Sequence, residues 1–190
     1  VACHATEAEA KRHMAALYSN IHEAKAVAVK FASGELNVIE GLGMPYGGPF
    51  NGLDITGEKF TPNTDFAFDW YKCERPLLFH HGLDAGAGMS VGGRVKSYEV
   101  KPDLGVWTKA QLDASSQYFE AIKELVAAGK LFFSSGSMNH LVKVDRRSGE
   151  IKRWPWVELS LTPTPANLLA TVGTAEAAKH YDAAGLKAVF

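Results

Sequence analysis

Two adjacent serines, Ser134 and Ser135, end the apolar run Leu131-Phe132-Phe133 and stand just before Gly136. Two adjacent histidines, His80 and His81, end another apolar run, Pro76-Leu77-Leu78-Phe79, further upstream. Glu158 lies inside a third run downstream, between Val157 and Leu159. A serine hydroxyl is a poor nucleophile near neutrality unless a base takes its proton. Imidazole, with an ordinary pKa of about 6.5, is the usual base. A third group must hold the imidazole in one tautomer and stabilise the cation it becomes. The chain therefore carries a nucleophile, a general base and an orienting acid in the order His, Ser, Glu, on three separate segments. That is the equipment for acyl transfer through a serine.

If the three segments are strands, their period of two decides which side chains can meet. Leu77, Phe79 and His81 then share one face, and Leu78 and His80 the other. Phe132, Ser134 and Gly136 oppose Phe133 and Ser135, while Glu158 and Ser160 oppose Val157, Leu159 and Leu161. Alternation does not choose between His80 and His81, or between Ser134 and Ser135. Plainer roles compete: a strand serine bonded to a backbone carbonyl, a structural strand-end histidine, or a carboxylate paired with Arg153, Arg146 or Lys143 because burying it alone is costly. His140 is either a second imidazole of the site or a strand-end residue, and the latter is favoured. His4, His13 and His22 recur at steps of nearly half a helical revolution, which scatters them over a surface. No spacing of His, Cys, Asp and Glu gives three converging ligands, so neither metal nor cofactor is expected.

The segments that must position these groups read mainly as strands. Val27, Val29 and Phe31 alternate with Ala28 and Lys30; residues 76–81, 91–100, 105–112, 131–136, 140–144 and 151–161 are further strand candidates, the last two forming a hairpin around Arg146-Arg147-Ser148-Gly149. Residues 41–63, rich in Gly, Pro, Asn and Thr, are expected to form a long loop or a set of short strands. Gly82, Gly86, Gly88, Gly92 and Gly93 mark a flexible connection. Helical spacing predicts one helix over 5–24, one from an Asp113 cap to Gly129 with Tyr118, Ile122, Leu125 and Val126 as its stripe, and one from Thr174 to about residue 188. The fold class is α+β, mainly an antiparallel β barrel or sandwich with surrounding helices, divided into an N-terminal helical segment (1–24), a central domain (25–172) and a C-terminal helix (173–190).

Composition narrows the function. A formal net charge of −1 leaves no basic stripe for nucleic acid, and 46% hydrophobic with 22% charged residues suits a globular domain. No apolar run approaches the roughly 20 residues of a membrane span. The N-terminus lacks a charged-then-apolar leader, and Val1 in place of Met suggests a cleavage or an arbitrary boundary. Cys3 and Cys73 lack metal-type spacing and are expected to stay reduced, which points to an intracellular setting.

The ordered set of segments resembles the prohead (capsid maturation) protease family of tailed bacteriophages, relatives of the herpesvirus assemblin proteases, over roughly residues 25–172. It rests on Asp54-Ile55-Thr56-Gly57-Glu58 with Thr64-Asp65, Pro76 to His81, Gly92-Gly93-Arg94-Val95, Gly105-Val106-Trp107, Gly129-Lys130-Leu131, Ser134 to Ser137, His140-Leu141-Val142 and Glu158 to Asn167. The resemblance implies an assemblin-like fold. Its Leu-x-x-His element falls on Leu78 and His81, making His81 the general base. Its Ser-x-Gly element falls on Ser134 and Gly136, making Ser134 the nucleophile, and its Glu-x-Ser element falls on Glu158 and Ser160, making Glu158 the third member. The neighbours His80 and Ser135 leave both first assignments open to a shift of one. The backbone N–H groups of Ser135 and Gly136 are candidate oxyanion donors. The implied substrates are scaffold protein, capsid protein and the protease itself, inside the assembling prohead in the host cytoplasm, with self-association as a further partner. The rival reading is a catalytically inactive scaffold or shell-binding protein on the same fold. An esterase is disfavoured because Phe132-Phe133-Ser134-Ser135-Gly136 lacks the first glycine of the Gly-x-Ser-x-Gly elbow.

Overall fold

The computed structural model describes residues 30–31, 37–83, 86 and 91–171. The expected helices over 5–24 and beyond Thr174, the start of the strand at Val27, and the histidines at 4, 13 and 22 lie outside the described residues.

The described chain is mostly β. Its strands are β1 (Lys30–Phe31), β2 (Val38–Pro45), β3 (Pro76–Phe79), β4 (Val91–Lys101), β5 (Gly105–Leu112), β6 (Phe132–Ser137), β7 (Lys143–Asp145), β8 (Glu150–Arg153) and β9 (Trp156–Thr162), and its α-helix is α1 (Phe119–Ala127). Seven strands form one sheet in the order β1-β2-β5-β4-β3-β9-β6, and β7 with β8 makes a separate hairpin. Neighbours pair antiparallel except β3 and β9, which run parallel. The far strand β6 returns against β2, so the sheet curls into a nearly closed barrel. The expected barrel with few helices is thus present at this coarser level.

The core fills the inside of that curl. Ile39, Met44, Leu77, Val106, Ala110, Phe133, Trp156, Leu159 and Leu161 are almost wholly buried and pack as one cluster. Ile122 and Val126 of α1 join it, and Gly92 at the start of β4 makes room for the helix: a Cβ there would lie 3.3 Å from Ile122 Cδ1.

Three expectations need correction. Residues 41–45 belong to β2, an eight-residue inner strand, rather than to the long loop or the set of short strands expected over 41–63. Gly43 serves packing, since a Cβ there would come within 2.3 Å of Thr108 Oγ1 on β5. The stretch 151–161 is two strands, not one: β8 ends at Arg153, and β9 begins after Trp154-Pro155 and leaves the hairpin for the main sheet. Asp113 does not cap α1. Its carboxylate accepts from the backbone N–H (2.9 Å) and hydroxyl (2.7 Å) of Ser115, closing a local turn that precedes the helix; the same bonds hold its pKa below the usual carboxylate value.

Candidate active site

The adjacent edges of β3, β9 and β6 bring the predicted groups together. β3 lies beside β9 with Leu77 opposite Leu159 and Phe79 opposite Leu161. On its other side β9 meets β6, with Ser134 opposite Ser160 and Gly136 opposite Glu158. Directly paired residues in an antiparallel ladder point to the same face. Ser134, Gly136, Glu158 and Ser160 therefore form one polar patch, and Phe133, Leu159 and Leu161 face the core.

The histidines do not continue the β3 alternation, contrary to the sequence expectation. β3 ends at Phe79, and His80–Gly82 form a left-handed turn closed by the Leu83 N–H to the His80 carbonyl (2.9 Å). His80 (φ 47°) and His81 (φ 56°) both adopt the left-handed conformation, which costs a residue with a Cβ about 1–2 kcal/mol. Such a pair persists only where the surroundings hold it. Here the alternating residues of β9 do so. The Thr162 hydroxyl bonds the His80 ring at Nδ1 (2.9 Å), the Ser160 hydroxyl accepts the His81 backbone N–H (3.1 Å), and the Glu158 carboxylate bonds the His81 ring at Nδ1 (2.8 Å). The turn sends the two rings to different partners: His80 to Thr162, and His81 between Glu158 and Ser134.

His81 Nε2 lies 3.0 Å from Ser134 Oγ. An ionised carboxylate can only accept, so Nδ1 carries the hydrogen facing Glu158 and Nε2 is left as the acceptor for the Ser134 hydroxyl. The second Glu158 oxygen accepts from Ser160 Oγ at 2.7 Å. Glu158 is mostly shielded, with 12% of its side chain exposed, while His81 retains 33%. An acid held at both oxygens and a half-open imidazole with its free lone pair on a hydroxyl is an arrangement able to deprotonate that hydroxyl in place.

Gly136 has a steric part that the sequence did not reveal. A Cβ on it would sit 1.8 Å from Glu158 Oε1, so only glycine lets the carboxylate lean across β6 toward His81. The other candidates are placed elsewhere. Ser135 stands opposite Leu159 on the face away from Ser134. His140 is exposed in the turn Asn139–Leu141. Arg153 pairs with Asp65 (3.1 Å) rather than with Glu158, and Arg146 and Lys143 are exposed in the β7–β8 hairpin.

The N-terminal end of β9 is fixed by a different device. Arg75, 8% exposed, donates from Nε to the Trp156 carbonyl (2.9 Å) and from Nη2 to the Phe68 carbonyl (2.8 Å), and its guanidinium lies 4.5 Å from the centre of the Trp156 ring. Burial lowers its pKa, an effect that Tyr98 and Tyr71 oppose. Trp156 Nε1 in turn donates to the Glu158 carbonyl (2.6 Å). Two cavities open near this end, one of about 470 Å³ lined by Thr64–Trp70 and Arg153, the other of about 340 Å³ lined by Cys73–Arg75 and Val95–Tyr98. Neither includes Ser134, His81 or Glu158, whose chain of hydrogen bonds lies outside both. Among the described residues no helix is long and apolar enough to cross a membrane.

Comparison with family models, curated proteins and solved structures finds no match to this chain.

Proposed function

We propose that this protein is a serine endopeptidase with Ser134 as nucleophile, His81 as general base and Glu158 as the orienting acid. The observation that carries the reading is the unbroken chain Ser134 Oγ–His81 Nε2 (3.0 Å) and His81 Nδ1–Glu158 Oε1 (2.8 Å), assembled from three distant segments in the polarity that serine acylation needs. In the reaction Ser134 Oγ attacks a peptide carbonyl while His81 Nε2 takes its proton. His81 then returns the proton to the departing amine, and water, deprotonated by the same imidazole, releases the acyl group. Glu158 keeps Nε2 free and stabilises the imidazolium. Successive N–H groups of a strand alternate sides, so one of the two candidate oxyanion donors, Ser135 and Gly136, turns its N–H away from β9, and that group is the proposed donor.

The substrate assignment rests on the sequence resemblance alone. On that basis the targets are the scaffold and capsid proteins of a tailed phage and the protease itself, cleaved within the prohead in the host cytoplasm. An extended polypeptide suits a serine that lies outside both cavities.

Co-expression with the capsid protein tests the reading. Ser134→Ala is expected to lower cleavage on the order of 10⁶-fold, to background, with assembly intact. Processing lost in Ser135→Ala but kept in Ser134→Ala would move the nucleophile by one residue. Processing kept in both would reject the protease.

A further inference from the structure

We propose that Ser160 is a positioning residue of this site, one buried hydroxyl that fixes the acid and the backbone of the base together. The inference deepens the serine-hydrolase reading and depends on it for the activity readout. Ser160 is 0% exposed. Its hydroxyl has one hydrogen to give and lone pairs to receive with. The hydrogen goes to Glu158 Oε2 at 2.7 Å, and a lone pair takes the His81 backbone N–H at 3.1 Å. Glu158 Oε1 bonds the ring of that same His81 at 2.8 Å. The contacts close a loop from the Ser160 hydroxyl through the carboxylate and the imidazole to the His81 backbone and back to Ser160.

This loop does two things that a serine merely satisfied in a strand would not. A carboxylate held at both oxygens is fixed in rotation, so Oε1 stays aimed at Nδ1. A captured His81 N–H holds the left-handed backbone that points the ring at Ser134, a conformation a histidine keeps only under constraint. A buried strand serine ordinarily turns to a nearby carbonyl; both partners of Ser160 instead belong to the proposed machinery. Thr162, next on the same face, holds the His80 ring and so steadies the residue before the base.

The test uses the full chain and a fluorophosphonate probe. Ser134 Oγ attacks phosphorus, fluoride leaves and His81 takes the hydroxyl proton, so the labelling rate reads the alignment of the pair. A second readout, the low-field proton resonance of His81 Nδ1–H in NMR, is independent of turnover. Ser160→Ala is expected to slow labelling on the order of 10- to 100-fold and to erase that resonance. Ser160→Thr, which keeps the hydroxyl, is expected to restore both, and Ser160→Cys, a weaker donor of similar size, to fall between. Labelling at the wild-type rate per folded molecule in Ser160→Ala, with the resonance intact, overturns the proposal even if the melting temperature falls. If the wild-type protein is not labelled at all, the hydrolase reading fails. The resonance still decides for Ser160: loss in the alanine variant with return in threonine or cysteine upholds the positioning role, and persistence in alanine overturns it.

Discussion

The two ends of β9 belong to one strand but hold opposite kinds of structure. At the N-terminal end Trp156 is fully buried, clamped by Arg75 and set edge-on to Phe68 and Tyr98 at centroid distances of 6.2 Å and 5.5 Å. Two residues further along, beyond the break in register, Glu158 reaches away from β9 to the His81 ring, and Ser160 and Thr162 continue its row. What differs is the opposing surface. Trp156 is met by large rings and a guanidinium. Glu158 is met by Gly136, where a side chain is missing, and by a turn whose backbone points its imidazole inward. The pairing register shifts between Gly136 and Ser137, at the boundary between the two regimes. The hydrogen-bonded row forms here through what is removed from the neighbouring strand.

That contrast yields three further expectations, each able to break it. Glu158→Gln should have the largest effect, on the order of 10⁴-fold in acylation rate with the fold retained, because an amide in the carboxylate's place favours the wrong imidazole tautomer and offers no charge to the imidazolium. An unchanged labelling rate would remove Glu158 from the site. Gly136→Ala should cost on the order of 10²-fold, since its Cβ displaces the carboxylate by an ångström or more while the barrel survives; wild-type labelling by folded Gly136→Ala would show that the empty space has no function. Arg75→Ala should act at the other end alone. It leaves the Trp156 and Phe68 carbonyls without their charged donor and is expected to cost about 3 kcal/mol of unfolding free energy by denaturant titration, with the rate per folded molecule within a few-fold of wild type. A selective loss of rate without loss of stability would mean that the aromatic end tunes the reactive one, through the Trp156 indole on the Glu158 carbonyl.

Much of the site was legible because chemistry restricts residue types. Serine before glycine, a histidine pair after an apolar run and an acid between apolar neighbours were visible as candidates, and the β4–β5 hairpin and the stripe of α1 follow from period and turn residues. Other parts were hidden for identifiable reasons. The glycines at 41 and 43 imitate a loop, yet Gly43 serves a close approach between strands that only the partner Thr108 explains. Alternation through His80 and His81 fails because both residues are left-handed, a state that two successive residues with a Cβ seldom share and which residues about 80 positions away on β9 hold in place. Ser160 stood out in sequence only as the partner of a Glu-x-Ser pair. The row Glu158, Ser160, Thr162 was the available signal, three polar side chains at strand spacing with apolar residues between them.

The sequence by itself determined which side chains could do chemistry, that strands would carry most of them, and that Glu158 and Ser160 share a face, since these depend on residue type and on a period of two. It did not decide between His80 and His81 or between Ser134 and Ser135. Which of each pair joins the hydrogen-bonded chain fell to the tertiary structure, because it depends on the register of β6 and β3 against β9 and on a turn of left-handed residues, and each is set by contacts between segments far apart in the chain.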